Sequence, residues 1–378
     1  MRDLCGYNCG TNMTVGLRNQ PHHTDPAKAS VRIALVYKNL AAAKGVSHIG
    51  LGVAATCNQA TLRRAGYWAE VWSCNTSADI ESRLNAAKAS AITANEHQVS
   101  HVVISAPWVP TTELQGLLTR WPTVDWAVVS HSNIGFLAAD PGGIQRLRDA
   151  VELQVGYANF RVGGNSKKFV DAWTAMNGHQ ALCLPNMYDL AYVRQVGHRL
   201  PWRGTEPLRI GVFGATRPLK NLITSAAAAV ELATQLKTHV IISVSSGRTE
   251  GGQTAMSAVE QLVQGRPNVT LNPVGWRSWP AFREIVRQQH VLFNMSYTES
   301  FNVVTADGCA EGVASVCSDA IDWVPPQWHA LSDNVGDVSR VANYLLHDQR
   351  AVDDGQAALR TYVQRGLLMW EAWLCGVR

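Results

Sequence analysis

Two pairs of charged residues, Arg217 with Lys220 and Glu299 with Asp307, stand where short apolar runs give way to helical patterns. The stretch 291–325, VLFNMSYTESFNVVTADGCAEGVASVCSDAIDWVP, opens as a strand at Val291-Leu292-Phe293 and breaks into polar residues from Asn294 to Ser300. Phe301, Val304 and Ala310 suit a short helix closed by Gly312, and Val313 to Cys317 reads as the next strand. Such a parallel crossover aims a helix N-terminus at the carboxyl edge of a sheet. The backbone N–H groups of Ser300, Phe301, Asn302 and Val303 would be unpaired there and suit a phosphate. Glu299 at the lip and Asp307, with seven residues between them, would repel that phosphate unless they served hydroxyls of the same ligand, such as those of a sugar or ribose. The plainer alternative stays open: Glu299 caps the helix and Asp307 is a solvated helix residue.

A second turn carries the opposite charge. Leu208 to Phe213 is a strand, Gly214 opens the turn GATRPLKN, and Leu222 to Leu236 follows as an Ala-rich helix. Arg217 and Lys220 thus sit near a helix N-terminus, where the helix dipole disfavours cations. A polyanion held between them resolves the conflict. Farther along, Trp276 and Arg277 follow the strand Val269 to Leu271 and offer flat surfaces on which a base could stack.

Both turns need a sheet behind them. In the first half, strands at 31–37, 69–73, 101–105 and 125–130 alternate with helices at 48–65, 79–95 and 112–120. Residues 159–176 read as strand, loop and helix, and 182–186 as a last short strand. The second half repeats the alternation, with strands at 208–213, 240–244, 269–271 and 291–293. The pattern predicts an α/β protein of two facing Rossmann-like, doubly wound domains with a cleft between them. The expected division is an arm over 1–30, a first domain over 31–195, a linker over 196–207, a second domain over 208–350, and a helix over 351–378. Trp370 and Trp373 of that helix could pack back on the first domain.

Composition narrows the class. The chain has 378 residues, 46% hydrophobic and 16% charged, which suits a soluble two-domain protein and excludes a disordered one. No run of eighteen apolar residues occurs, and residues 1–20 lack a signal-peptide core, so a cytoplasmic protein is expected. The eight cysteines have no framework spacing and read as reduced thiols. Cys5 and Cys9 with the adjacent His22 and His23 hint only faintly at zinc, and no metal site is assigned. A net charge of +4 permits a phosphate-rich ligand without demanding nucleic acid.

Glu299, Phe301, Asp307, Ala310 and Gly312 resemble the donor-site signature of GT-B glycosyltransferases, in the family-4-like retaining group, where an E-x7-E pair precedes an A-x-G segment. Here the second acid is Asp307, the usual Gly after Phe is Asn302, and Ala314 replaces a customary Pro. Arg217-Pro218-Leu219-Lys220 is similar to the family's R-x-x-K turn, and Pro185-Asn186-Met187-Tyr188-Asp189 to its PNG-hydrophobic-D segment without the Gly. The resemblance implies transfer of a sugar from a nucleotide sugar such as UDP-glucose to an acceptor hydroxyl, with retention and without metal or other cofactor. It implies that Arg217 and Lys220 grip the diphosphate, Glu299 the sugar hydroxyls and Asp307 the ribose. Gly45, after the first strand, would approach the donor phosphate; His131, at the end of the strand 125–130, would lie by the acceptor, with His48 a weaker candidate. Trp276 or Arg277 would receive the base. GT-B proteins also include epimerases and phosphorylases, and a non-catalytic nucleotide-sugar-binding protein is a further alternative. The FGATRPLKN turn and Ala-rich helices resemble phage and environmental glycosyltransferases, some of which modify hydroxymethylated pyrimidines in DNA, so DNA is one candidate acceptor.

Overall fold

The computed structural model describes residues 26–39, 49–94, 96–137, 140–194, 202–246 and 250–376. Two parallel sheets organise the chain. The first has the order β2-β1-β3-β4-β5-β6, built from β1 (Arg32–Lys38), β2 (Trp68–Cys74), β3 (His101–Ser105), β4 (Asp125–Ser130), β5 (Phe160–Gly164) and β6 (Leu182–Cys183). All five residues of β3, HVVIS, are buried, as a central parallel strand covered by helices on both faces requires. The covering helices are α1 (Pro26–Ser30), α2 (Ile49–Arg64), α3 (Ser77–Ala94), α4 (Thr111–Arg120), α5 (Ile134–Leu137), α6 (Pro141–Gly156) and α7 (Lys167–Asn177).

The second sheet runs β11-β10-β7-β8-β9, from β7 (Leu208–Val212), β8 (Val240–Ser245), β9 (Val269–Val274), β10 (Val291–Asn294) and β11 (Ser315–Cys317). Its helices are α8 (Leu222–Gln235), α9 (Gln253–Val263), α10 (Trp279–Arg287), α11 (Val303–Glu311), α12 (Val335–His347) and α13 (Ala351–Leu374). In both sheets the strand order reverses, between β1 and β3 in the first and between β7 and β10 in the second. Ligands of open α/β sheets bind beyond the carboxyl ends of the strands at such reversals. The turn after β7 carries Arg217 and Lys220, and the turn after β10 carries Glu299. The doubly wound fold read from the sequence is therefore the observed one.

One pair of helices was not anticipated. The sequence reading places no helix between Ser130 and Asn159, whereas α5 and α6 occupy that span. The start of α6, Pro141-Gly142-Gly143, has the residues of a turn, yet proline at a first helical position loses only an N–H that would have no partner.

The two sheets share material. One apolar cluster runs from Ile33 and Leu35 of β1 through Tyr188 to Phe293 of β10 and Trp370 of α13. The indole of Trp370 donates to the Pro185 carbonyl at 2.9 Å, so α13, which follows the second sheet in sequence, ends against the first. Among the described residues no helix is long and apolar enough to cross a membrane. Cys5, Cys9, His22, His23, Gly45 and His48, with most of the expected arm and the linker start, lie outside the described residues.

Candidate active site

After β7 the backbone enters a conformation that side chains disfavour, with Gly214 at φ +126°. Its N–H donates to Ser245 Oγ at 3.1 Å, and the Lys220 stem lies close over it, a Cβ there standing 3.5 Å from Lys220 Cε. The chain turns through Arg217 into one 3-10 turn, Pro218–Lys220, and enters α8 through Asn221 at φ 52°. Arg217 pairs with the Glu250 carboxylate, and its guanidinium lies 5.0 Å over the ring of Phe136 from the first domain. Lys220 pairs with the Glu299 carboxylate. Tyr297 N–H donates to the Leu219 carbonyl at 3.0 Å and ties the turn after β10 to the turn after β7.

Glu299 does not cap α11. Asn302 does: it adopts φ 63°, its Oδ1 accepts from the Thr305 N–H at 2.9 Å, and its Nδ2 donates to Glu299 Oε1 at 3.1 Å. The asparagine that stands for the family's glycine therefore supplies both the left-handed backbone and the cap. The Glu299 carboxylate is thus free of helix duty and faces Lys220. Val303 and Val304, whose N–H groups belong to the first turn of α11 and have no helical acceptor, line the same cleft. Phe301 is core, stacked on Trp323 at 5.6 Å and Tyr362 at 5.2 Å, and anchors the turn from behind.

The opposite wall comes from the first sheet. Asn133 Nδ2 donates to the Glu299 carbonyl, Ser300 Oγ donates to the His131 carbonyl at 3.1 Å, and Asn165 Nδ2 donates to Ser300 Oγ at 3.2 Å. Asn165 also lies 3.4 Å from His131 Nδ1. Burial pushes the His131 imidazole down to about 4, so the ring is neutral near pH 7. Together these walls enclose a cleft of about 510 Å³ that holds His131, Arg217, Lys220, Glu299, Ser300 and Asn302. The sequence reading named all six. It did not single out Asn133, Asn165, Asn186, Phe136 or Glu250 as lining residues, although three of these asparagines follow the carboxyl ends of β4, β5 and β6. The rule that sites gather at those ends was the signal available for them.

Three expected site residues lie elsewhere. Asp307 is fully buried and outside the cleft: its Oδ1 accepts from Tyr188 OH at 2.7 Å and from Trp279 Nε1 at 3.0 Å. Burial raises its carboxyl to about 7 against the pull of those two donors and of Arg283. Aromatic side chains thus occupy the oxygens expected to meet a ribose, and Asp307 instead joins α11 to the first domain. Trp276 and Arg277 follow β9 at the sheet's edge, two strands from the reversal, and do not line the cleft; Trp276 is 44% exposed. Among the described residues no group of three His, Cys, Asp or Glu side chains is placed to hold a metal ion.

No family model matches the sequence, and no match is found among curated proteins. Solved structures are similar along nearly the whole chain. The catalytic domain of starch synthase IV from Arabidopsis thaliana, bound to ADP and acarbose, aligns with a TM-score of 0.62 at 10% identity, covering 91% of this chain and 99% of that one. Sucrose-phosphate synthase from Thermosynechococcus elongatus gives 0.57 at 16% identity over 91% and 98% of the two chains. A UDP-forming trehalose-phosphate synthase from Burkholderia xenovorans, in complex with glucose-6-phosphate, gives 0.57 at 12% identity over 89% and 96%. Likeness of this extent at such low identity establishes the fold, and that fold is the GT-B architecture.

Proposed function

We propose that this protein is a glycosyltransferase that moves a sugar from a nucleotide-sugar donor to an acceptor hydroxyl. The observation that carries the reading is the meeting of Arg217, Lys220, Glu299 and the first turn of α11 in one cleft at the strand-order reversal of the second sheet. The diphosphate takes the place of Glu250 as partner of Arg217 and lies against Lys220 and the N–H groups of Val303 and Val304. Those fixed donors neutralise charge as the phosphate departs. Glu299 accepts hydroxyls of the donor sugar, held in place by Lys220 and Asn302. His131, uncharged, positions the acceptor on the opposite wall. For retention, the anomeric carbon–phosphate oxygen bond breaks and the acceptor oxygen bonds on the same face. The acceptor proton passes to the departing phosphate oxygen, so no separate base is needed.

The donor nucleotide is found by thermal shift with UDP, GDP and ADP, since the similar structures include a UDP-forming enzyme and one bound to ADP. A nucleotide at a hundred times its Kd should stabilise the fold by about 2.7 kcal/mol. A flat panel at millimolar concentrations would defeat the proposal. The transfer assay then follows label from the matching nucleotide sugar into small glycosides, unmodified DNA and hydroxymethylcytosine DNA. Release of free nucleoside diphosphate that requires the acceptor separates a transferase from an epimerase or a mere binder.

A further inference from the structure

A second cavity, of about 420 Å³, opens where the start of α7, the loop after β11 and α13 meet. Asn165 and Ser300, joined at 3.2 Å, line both this cavity and the cleft and form the partition between them. Its groups point to an anion. The helix α7 begins without a side-chain cap, and its first turn, Lys167-Lys168-Phe169, contains no acid. The N–H groups of that turn have no helical acceptor, and such a helix start favours negative charge. Ser166, the residue placed to cap it, is 6% exposed, yet its hydroxyl has no protein partner among the described residues and stays open to the cavity. The Tyr362 phenol is likewise without a protein partner among them; burial raises it well above its ordinary range, so near pH 7 it donates. The exposed Arg365 guanidinium lines the same cavity and pairs with no described carboxylate. Lys167 holds Asp171 at 2.6 Å in an exposed pair one helical turn apart, a contact weak enough to be exchanged. Asp322, the lining carboxylate among the described residues, is 3.4 Å from Lys168.

A phosphate, with three strong acceptor oxygens, can meet a helix start, hydroxyls and a guanidinium at once, where a carboxylate has two. Pro326 and Met369, both exposed, add an apolar wall that suits a carbon body. We propose that this cavity is a second binding site, separate from the cleft, for a small phosphate monoester with an apolar body. The phosphate lies at the Ser166 end of α7, held by Tyr362 and Arg365, and the body lies against Pro326 and Met369. Tyr362 also stacks on Phe301 at 5.2 Å behind the Glu299 turn, so the occupant touches two supports of the cleft without entering it. The site stands independently of the glycosyltransferase reading.

Calorimetry on the whole protein tests it, with phenyl phosphate as the probe and phenol, inorganic phosphate and benzoate beside it. Phenyl phosphate should bind at least about fivefold more tightly than each of the three. Its binding should survive in Lys220→Ala and in the presence of UDP, GDP or ADP, because those changes act in the cleft. Arg365→Ala should weaken it about tenfold and Tyr362→Phe several-fold, the losses expected for hydrogen bonds to a charged group. Both variants should keep the parent's thermal transition, since Arg365 makes no ion pair with a described residue and phenylalanine preserves the stack on Phe301. No binding of phenyl phosphate, equal binding of any of the three comparison compounds, loss of binding in Lys220→Ala, displacement by a nucleotide, or Arg365→Ala and Tyr362→Phe binding like the parent would overturn the site. Absence of any nucleotide response, by contrast, would sink the transferase reading and leave this site standing.

Discussion

The two carboxyl edges that face each other across the cleft are built from the same kind of sheet, yet they hold opposite chemistry. The second domain presents charge, in the Arg217–Glu250 and Lys220–Glu299 pairs beside a helix N-terminus. The first presents neutral amides and an uncharged imidazole, with Asp140, paired to Arg146, as its charged lining residue among those described. The strand order locates a site in each domain, and the side chains then decide what each half can hold. An anionic leaving group needs the charged edge, and an acceptor that must stay nucleophilic is better served by a neutral one.

Removing the charge should have the largest effect. Lys220→Ala should raise the Kd of the responding nucleoside diphosphate by roughly 10- to 100-fold, since charge-assisted bonds contribute about 1.5–3 kcal/mol, and transfer should fall with it. Calorimetry with an unchanged Kd would place the diphosphate elsewhere. Glu299→Gln should divide the two functions: transfer drops about tenfold or more, while nucleotide affinity holds or tightens because Lys220 has lost its internal counter-ion. Equal turnover in a steady-state assay would return Glu299 to a purely structural role.

Asp307→Asn should act on stability and not on the ligand. The ordinary pKa of 3.8 rises to about 7 in the folded protein, so between those values the folded chain holds a proton that the unfolded chain has lost. The contribution is present at low pH and disappears as pH rises toward 7. Parent protein should therefore lose stability from about pH 4 to about pH 7 relative to Asp307→Asn, with nucleotide Kd changed less than about twofold. Parallel denaturation midpoints across that range would contradict the buried placement. The smallest effect belongs to Trp276→Ala. Its side chain lies outside the cleft, so the nucleotide Kd should again move less than about twofold, and a larger loss would show that the base reaches the edge strand β9.

Legibility followed the same division. Val291-Leu292-Phe293 and Leu208 to Phe213 announced their strands through local apolar runs, and Arg217 and Lys220 stood out because cations conflict with a helix N-terminus. Asn302 could be read as a turn former from its type alone. Asp307 could not be placed, because its burial depends on Tyr188, more than a hundred positions earlier, and on Trp279 of α10, contacts that no local pattern encodes. The asparagines were visible as residues but not as a set, since β4, β5 and β6 become neighbours only in the sheet. The helix at Pro141 was hidden by a start that uses turn residues.

The last helix has a consequence for how this protein can be altered. Because α13 departs from the second domain and seats Trp370 on Pro185, and because one apolar cluster runs through both sheets, the halves are not interchangeable cassettes. A gene cut at the linker would leave the first half without its C-terminal cover and the second with the Trp370 end of α13 bare, while Tyr362 of the same helix stays on Phe301. Recombination with another member of this architecture has to keep both contacts of this one helix, Tyr362 on Phe301 and Trp370 on Pro185, so a crossover at the linker alone breaks a fit made near residue 370.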